Sequence, residues 1–289
     1  HEMLNDEAGG AAFCERFLDA NPYSSCGWYN LGQLYHKLGL YEKAIRAFDY
    51  ASLIQDDFIS AYYGRAASLM ELSKYEEAIR VLLQSLQHDK KDIATLLALG
   101  ECYEALGDCA RARFYFAKCT DISPTLPDAW YGIGSAYEAE ERYLEACHYY
   151  KRALELNREY YDAWLGLADS EYGLGNGLAA FEALKQAIAL FPHDLALWRA
   201  WGERLAADHG PAGALELLAE GMRHNATSAE LVYQYAACLL AAGREADGLV
   251  YLENALVMDH AKHALLYAFH PPAEAAPAVA GLIAQYQPG

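Results

Sequence analysis

The chain has 289 residues, of which 54% are hydrophobic, and it carries a formal net charge of −18 from 40 acidic and 22 basic residues. This acidic balance, without any Lys/Arg-rich block, argues against nucleic acid as a partner, because phosphate binding depends on clustered basic side chains. No apolar run reaches the roughly 20 residues of a membrane span, so the sequence predicts no association with a membrane.

The first predicted element is a helix over residues 6–20, which ends at Asn21–Pro22. Residues 1–24 are interpreted as the remnant of a tag, or of an excised domain, followed by half of a helical hairpin. The helix over 6–20 would be the second helix of that hairpin. The sequence therefore predicts that the natural protein extends N-terminally beyond His1.

From residue 25 onward, amphipathic helices follow one another at an interval of 34 residues. Large apolar residues recur with this period at Trp28, Tyr62, Leu96, Trp130, Trp164, Trp198, Val232 and Leu266. Small residues stand four positions later, at Gly32, Ala66, Gly100, Gly134, Ala168, Gly202 and Ala236, and sixteen positions later, at Ala44, Ala78, Ala112, Ala146, Ala180, Ala214 and Gly248. Two helices approach closely only where both carry small side chains, so the pattern predicts stacked helix–turn–helix pairs.

This pattern resembles the tetratricopeptide repeat (TPR) family, whose repeat is a 34-residue helix–turn–helix. The resemblance covers residues 22–269 and implies an all-α fold, a right-handed superhelical α-solenoid of stacked hairpins. Seven repeats are predicted, at residues 25–58, 59–92, 93–126, 127–160, 161–194, 195–228 and 229–262. Residues 263–289 are predicted to form a partial repeat, broken at Pro271–Pro272, and a last helix over 278–286 that caps the stack.

The first helix of each repeat packs through positions 4, 7, 8 and 11, so positions 2, 5, 9 and 12 face the other way at about 100° per residue. In the family that the chain resembles, these positions line a concave groove that is the usual ligand surface. The residues predicted to bind a partner there are Tyr29, Gln33, His36, Tyr63, Met70, Leu97, Glu101, Glu104, Asp128, Tyr131, Glu138, Asp162, Asp169, Tyr172 and Arg199.

The predicted groove changes character along its length. It begins with aromatic and aliphatic side chains and continues into an acidic centre formed by Glu101, Glu104, Asp128, Glu138, Asp162 and Asp169. Such a groove would take an extended or helical segment that presents Lys or Arg beside apolar anchors. The alternative interpretation is that an acidic protein simply has acidic faces, and both interpretations stay open at this point.

The family's best-known ligand surface is a clamp of co-chaperones that holds the C-terminal carboxylates of heat-shock chaperones. The clamp has Lys and Asn at positions 5 and 9 of one repeat, where the first repeat here has Tyr29 and Gln33. Its further Asn, Lys and Arg are replaced by Gly64, Ala94 and Ala98. An acidic groove without those donors would repel a carboxylate tail, so the sequence argues against a heat-shock chaperone tail as the partner.

No catalytic, metal or cofactor site is predicted. His260 and His263 are three residues apart, but no third metal ligand accompanies them. Glu101 and Asp128 could be imagined as an acid–base pair, yet such a pair needs a closed pocket, and an open groove offers none. The seven cysteines are odd in number and form no C-x-x-C pair, which predicts small packing residues in a reducing, cytoplasmic setting.

The sequence therefore predicts a non-catalytic interaction scaffold or adaptor, which binds a peptide segment of a partner protein in its groove. Two alternatives stay open. One is the accessory repeat array of a larger enzyme or regulator, and the other is a sensor of a short peptide or small molecule.

Overall fold

The computed structural model describes residues 7–287, and all regular secondary structure in that range is helical. The chain forms two compact parts, an N-terminal part that ends at Gly175 and a C-terminal part that begins at Asn176. Each part is a stack of helical hairpins. The predicted all-α class and the stacking of helix–turn–helix pairs are therefore confirmed.

The helices of the N-terminal part alternate between first and second members of a hairpin. They are α1 (Glu7–Ala20), α2 (Ser25–Lys37), α3 (Tyr41–Ile54), α4 (Ile59–Glu71), α5 (Tyr75–His88), α6 (Ile93–Ala105), α7 (Cys109–Ile122), α8 (Pro127–Glu138), α9 (Tyr143–Leu156) and α10 (Tyr161–Gly173). Each helix packs on the next one in the chain, and each of α2, α4, α6 and α8 also touches the first helix of the following hairpin. The first helices therefore lie side by side.

The C-terminal part continues the alternation and then changes at its end. Its helices are α11 (Gly177–Leu190), α12 (Leu195–His209), α13 (Leu215–His224), α14 (Ala229–Ala241), α15 (Glu245–Asp259), α16 (Ala264–Phe269) and α17 (Pro277–Gln285). The short α16 ends before Pro271–Pro272, where a 3₁₀ turn over Pro271–Ala275 follows. Helix α17 then packs on α15, and its Val279 is only 2% exposed.

The turn inside a hairpin requires one residue in the left-handed region. Gly39, Gly107, Gly175 and Gly243 supply it with φ between 70° and 77°, as glycine does at helix C-termini. In the hairpins of α4–α5 and α8–α9 the same position carries Ser73 at φ 55° and Glu141 at φ 59°. An L-residue adopts this conformation at a cost, so the surrounding packing holds these two turns.

One large side chain of a second helix joins each of several hairpins to the next. Phe48 of α3 lies between Gly32 of its own hairpin and Gly64 of the following one, where an added Cβ would come within 2.7 and 2.6 Å of the ring. The arrangement recurs with Phe116 between Gly100 and Gly132, and with Tyr150 between Gly134 and Gly166. The ring therefore depends on a glycine on both sides.

The hairpin of α4 and α5 fills the same space differently. Leu82 takes the place of the ring, is fully buried, and clusters with Ala66 and Ala98. These alanines occupy the two positions that are glycine beside Phe48 and Phe116. A smaller central side chain is thus matched by larger neighbours, because an interior at crystal-like density tolerates neither gaps nor overlaps.

The tryptophans of the 34-residue pattern are tied to the linkers between hairpins. Trp28, Trp130 and Trp164 are only half-buried, and each indole Nε1 donates to the backbone carbonyl six residues earlier, at 2.8, 2.9 and 2.8 Å. Trp198 makes the same hydrogen bond at 2.8 Å but is 1% exposed. The tryptophan position that the sequence predicts as core therefore also fixes the linker through this hydrogen bond. Because the linker lies at the surface, several of these indoles stay partly exposed.

The cysteines act as small packing residues. All seven are free, and Cys102, Cys119, Cys147 and Cys238 are buried. Burial raises the pKa of the Cys102 and Cys119 thiols to about 12, and that of the Cys147 and Cys238 thiols to about 11. Because the thiolate is the reactive form, these four thiols are inert in the folded protein.

Gly132→Ala should lower the free energy of unfolding by about 1–3 kcal/mol, because the new Cβ would lie 2.6 Å from the Phe116 ring. Combined with Phe116→Leu, the same alanine should be tolerated, which gives a coupling of about 1 kcal/mol in a double-mutant cycle measured by urea unfolding. Gly281→Ala is the control, since nothing lies within 4 Å of its Cβ. If the changes in unfolding free energy of Gly132→Ala and Phe116→Leu were strictly additive, the Phe116 ring and Gly132 would not be in contact.

A disulfide exchange reagent at neutral pH should react fastest with Cys26, which is exposed, and not with the four buried thiols. Adding denaturant should release the four buried thiols together with loss of the far-UV circular dichroism signal. Mass spectrometry of labelled peptides identifies the sites. Labelling of Cys102 or Cys119 in the native protein would contradict their burial.

Candidate functional site

The candidate site is the face of α2, α4, α6, α8 and α10 that carries the residues predicted to bind a partner, and we call it the first-helix wall. All of the residues predicted to bind a partner lie on these helices except Arg199, which lies on α12 of the C-terminal part. Those on the first-helix wall are exposed or half-buried, and none of them is fully buried. The packing of the hairpins therefore leaves them available.

The wall begins with an aromatic nest around Tyr29. Its ring centroid lies 5.7 Å from that of Phe48 and 5.0 Å from that of Phe58. Gln33 Nε2 donates to the Tyr29 hydroxyl at 2.7 Å. Tyr29 is therefore held in one orientation, with an apolar surface around it and a polar edge.

His36 connects the first two helices of the wall. Its Nδ1 lies 2.9 Å from Ser68 Oγ, and that hydroxyl donates to the Gly64 carbonyl at 2.9 Å. The Ser68 hydroxyl thus lies within hydrogen-bond distance of both the His36 ring and the Gly64 carbonyl, and it links α2 to α4. The histidine therefore has a structural role as well as an accessible edge.

Two aliphatic residues predicted as anchors are partly drawn into the interior. Met70 and Leu97 are half-buried and pack against the core that contains Leu82 and Phe116. Tyr63, on the same helix as Met70, is 42% exposed. In the first half of the wall, the exposed Tyr63 ring thus stands beside the partly buried apolar side chains of Met70 and Leu97.

The centre of the wall brings three carboxylates close together. Burial, and then the charges of Glu104 and Asp128, raise the pKa of Glu101 above its ordinary value. Burial also raises the pKa of Glu104, although a hydrogen bond from Ser135 lowers it in part. Among the described residues none of the three carboxylates forms an ion pair with a basic side chain. The negative charge here is therefore repulsive and uncompensated.

A second aromatic nest adjoins this acidic centre. The Tyr131 ring lies 5.0 Å from that of Tyr160 and 5.7 Å from that of Tyr150. Tyr160 donates its hydroxyl proton to Asp128 Oδ1 at 3.1 Å, and Tyr150 donates to Glu138. Asp128 therefore orients the half-buried Tyr160 ring, and Glu138 holds Tyr150, which is only 1% exposed and supports the nest from the interior.

The tyrosines of this nest remain neutral. Burial, followed by the charges of Asp162, Glu104 and Glu138, raises the pKa of Tyr131 to about 12. Burial and the neighbouring Asp128 likewise raise the pKa of Tyr160. The site thus presents neutral, electron-rich ring faces next to carboxylates, which is a favourable environment for a cation.

Sequence reasoning missed the other members of both nests. Phe58 and Tyr160 each precede a first helix, and Phe48 and Tyr150 lie on second helices, whereas the sequence prediction covers only positions within first helices. A signal was present, because the members of the second nest follow those of the first by 102 residues, three repeats. Comparing aromatic positions across repeats would have found them.

The last predicted residues are distributed over both parts of the chain. Asp162, Asp169 and Tyr172 lie on α10, where Asp169 is half-buried and Tyr172 is 38% exposed. In the C-terminal part, Arg199 Nη1 forms an ion pair with Glu230 at 3.1 Å. The assignment of all of these residues to a partner surface stays a prediction.

Within residues 7–287 there is neither a metal-binding cluster nor a membrane-spanning helix. No group of three or more His, Cys, Asp or Glu side chains in this range is arranged to hold a metal ion. His260 Nε2 and His263 Nδ1 instead lie within 3.2 and 2.9 Å of backbone carbonyls. Over the same range no helix combines the length and the apolar character that crossing a bilayer requires.

Family models described as tetratricopeptide repeat match residues 13–46, 63–127 and 131–194. Superkiller protein 3 of Schizosaccharomyces pombe is 28% identical over 104 residues, which are 36% of this chain and 8% of that protein. Tetratricopeptide repeat protein 37 of Xenopus laevis is 33% identical over 104 residues, 36% of this chain and 7% of that protein. The chain spans less than a tenth of the length of both relatives.

Solved structures resemble the chain in fold. A tetratricopeptide repeat protein from Parabacteroides merdae matches with a TM-score of 0.61 and 17% identity, over 76% of this chain and 87% of that one. PilW, a type IV pilus biogenesis factor, matches with a TM-score of 0.61 and 21% identity, over 68% of this chain and 91% of that one. At these identities the likeness shows the fold alone.

Glu101→Gln should raise the free energy of unfolding near neutral pH by about 0.5 kcal/mol, because it removes one of several mutually repelling charges. A carboxyl whose pKa is raised on folding costs stability at every pH above its ordinary value. The gain should therefore shrink as the pH falls toward about 4, where the glutamate itself becomes protonated. Calorimetric melting at both pH values measures the effect.

The control is Glu76→Gln, an exposed glutamate on α5 outside the wall, for which no gain is expected. A Glu101→Gln protein that is less stable than the wild type near neutral pH would show that the acidic centre contributes to folding.

Proposed function

Because the chain belongs to the tetratricopeptide repeat family, we propose that it is a non-catalytic scaffold or adaptor that binds a peptide segment of a partner protein along the first-helix wall. Repeats of this family support protein–protein interaction, and stacked hairpins present one continuous face for it. The partner class, the residues involved and the absence of catalysis belong to this proposal.

The observation that carries the proposal is the uncompensated acidic centre. The pKa of Glu104 is raised by its partial burial, and the pKa of Glu101, an exposed residue, is raised by partial desolvation and by the charges of Glu104 and Asp128. Their ionisation costs free energy in the unbound protein, and a Lys or Arg side chain would recover it. The neighbouring Tyr131 and Tyr160 rings add cation–π attraction. The centre therefore favours a basic residue of the partner.

The aromatic end of the wall provides for apolar anchors. The Tyr29 nest and the exposed Tyr63 ring offer large contact areas with few rotatable bonds, a property of strong interface residues. We infer that the segment carries apolar side chains toward α2 and α4 and basic side chains toward α6 and α8. A carboxylate tail, such as that of a heat-shock chaperone, does not fit this charge pattern.

The curated relatives favour a second candidate function. Because the relatives described above are more than ten times longer than their matched segments, we infer as the second candidate that the array is the accessory binding part of a longer chain. The first-helix wall would then take a segment of that chain or of its complex. The free cysteines support our inference of a reducing compartment such as the cytoplasm.

The test uses a fluorescein-labelled peptide of alternating Lys, Phe and Gly residues, with counterparts in which Glu or Gln replaces every Lys. Fluorescence anisotropy should show binding of the Lys peptide alone. Raising the NaCl concentration from about 50 to about 300 mM should weaken that binding by roughly tenfold. Reversal of Glu101, Glu104 and Asp128 to Lys should abolish it.

A matched variant separates the site from the overall charge. Glu42, Glu76 and Asp121 are exposed acids on second helices, and reversing them to Lys changes the net charge by the same amount. This control should bind the Lys peptide as the wild type does. If both variants lost the same affinity for the Lys peptide, the acidic centre would not be a specific binding site and would only contribute to solubility.

A further inference from the structure

The second helices of the N-terminal part carry a basic stripe on their exposed side. Positions 22 and 26 of the 34-residue repeat lie one helical turn apart on α1, α3, α5, α7 and α9, and all ten of these residues are exposed. Five of the ten are Arg or Lys and none is Asp or Glu, although the chain has 40 acidic and only 22 basic residues. We call this stripe the basic rib, and its basic members are Arg16, Arg46, Arg80, Lys118, His148 and Arg152.

The C-terminal part lacks this stripe. The equivalent positions on α11, α13 and α15 carry Glu182, Gln186, Glu216, Glu220, Val250 and Asn254. None of these six residues is basic, and three are acidic. The stacking of hairpins therefore does not require positive charge at these positions. On α3, moreover, Arg46 points about 200° away from the buried Phe48, so it takes no part in the packing.

Several charges of the rib are uncompensated. Within residues 7–287, Arg46, Arg80 and Lys118 form no ion pair with a carboxylate. Glu42 and Glu76 precede the two arginines by one helical turn, yet they do not pair with them in this range. The three cations are therefore available to carboxylates from outside the chain.

Two exposed rings stand among these cations. Tyr50 is 51% and Phe114 is 54% exposed. Lys118 Nζ lies 4.4 Å from the Phe114 ring centroid, and the Tyr50 ring lies 4.7 Å from that of Trp28. The rib thus combines Arg side chains with aromatic area, and both are enriched among residues that dominate protein interfaces.

The geometry of the rib favours a helical partner. Its residues form two parallel rows, one at position 22 and one at position 26. An extended strand directs only alternate residues, a single row, at a surface, whereas one face of a helix presents two rows. Neighbouring helices pack about 10 Å apart, and a helix covers that distance in about seven residues. One heptad of the partner therefore matches one hairpin of the rib.

We propose that the basic rib is a docking surface for an amphipathic helix of a partner protein, whose contacting face carries Asp or Glu together with apolar side chains. The carboxylates pair with Arg46, Arg80 and Lys118, and the apolar side chains lie on Tyr50 and Phe114. A second copy of the chain fits less well, because two molecules of net charge −18 repel each other. The rib lies on second helices, so this proposal does not depend on the function proposed for the first-helix wall.

The probe is a fluorescein-labelled, alanine-based helical peptide of about 22 residues, with Glu at the first and Leu at the fifth position of every heptad. Its affinity, measured by fluorescence anisotropy, should fall about tenfold or more when Gln replaces every Glu, or when a central proline breaks the helix. The Gly-rich Glu peptide of the preceding test forms no stable helix and should not bind. Equal affinities of the helical peptide and its two counterparts, or no binding up to millimolar concentration, would overturn the proposal.

Reversal of Arg46, Arg80 and Lys118 to Glu should abolish binding of the helical peptide. These side chains are exposed, so the far-UV circular dichroism spectrum should stay unchanged. Should that variant fail to fold, Arg46→Gln combined with Arg80→Gln should weaken binding at least threefold. Phe114→Ala should weaken it about three- to tenfold, because the exposed ring provides apolar contact.

A matched variant again separates the site from the overall charge. Lys37, Lys74 and Lys90 are exposed lysines outside the rib, and reversing them to Glu changes the net charge by the same amount. This control should bind the helical peptide as the wild type does. Equal losses of affinity in the two triple variants would overturn the proposal.

Other occupants are distinguished with the same proteins. The reversal of Glu101, Glu104 and Asp128 should leave binding unchanged, and its loss there would place the peptide on the first-helix wall instead. Binding of single-stranded oligouridylate in preference to the peptide would make the rib a nucleic-acid surface. Self-association in sedimentation velocity that the rib reversal abolishes would make it a contact between copies. Each of these three results would overturn the proposal.

Discussion

A single helical hairpin cannot bury its apolar surface alone. The contact that joins each hairpin to the next therefore determines the spacing of the helices and the shape of the surface they form. That contact is a single large side chain held between two small residues, such as Phe48 between Gly32 and Gly64. Since it spans two hairpins, it fixes how far apart successive first helices lie. The positions of Tyr29, Tyr63 and Glu101 on the wall follow from that spacing.

The residues that stabilise the stack are different from those on the first-helix wall, and this explains why the wall can carry unfavourable charge. Stability comes from buried side chains such as Leu82 and Phe116, which lie on second helices and pack between first helices. The acidic centre around Glu101 contributes nothing to that packing and lies where its charges repel. A repeat stack tolerates such a site because its stability is spread over many neighbour contacts. The unfavourable charge at this surface is thus offset by packing elsewhere in the stack.

Most of the architecture could be predicted because one period governs it. The 34-residue recurrence of large and small residues, with glycines such as Gly39 and Gly107 at the turns, predicts the helix starts and the stacking. The candidate site was predictable only in part, because its wall was inferred from first helices alone. Phe58 and Tyr160 come from linkers, and Phe48 and Tyr150 come from second helices. Such features depend on contacts between hairpins, which a single helical pattern does not contain.

The matching of volumes across hairpins also restricts their order. Phe116 of one hairpin needs Gly132 in the next, whereas Leu82 is followed by Ala98. A hairpin with a ring could therefore not be exchanged for one with leucine unless its successor changed as well. The sizes of these side chains therefore restrict the order of the hairpins along the chain. Moving or duplicating one hairpin would create overlaps or gaps where it meets its new neighbours.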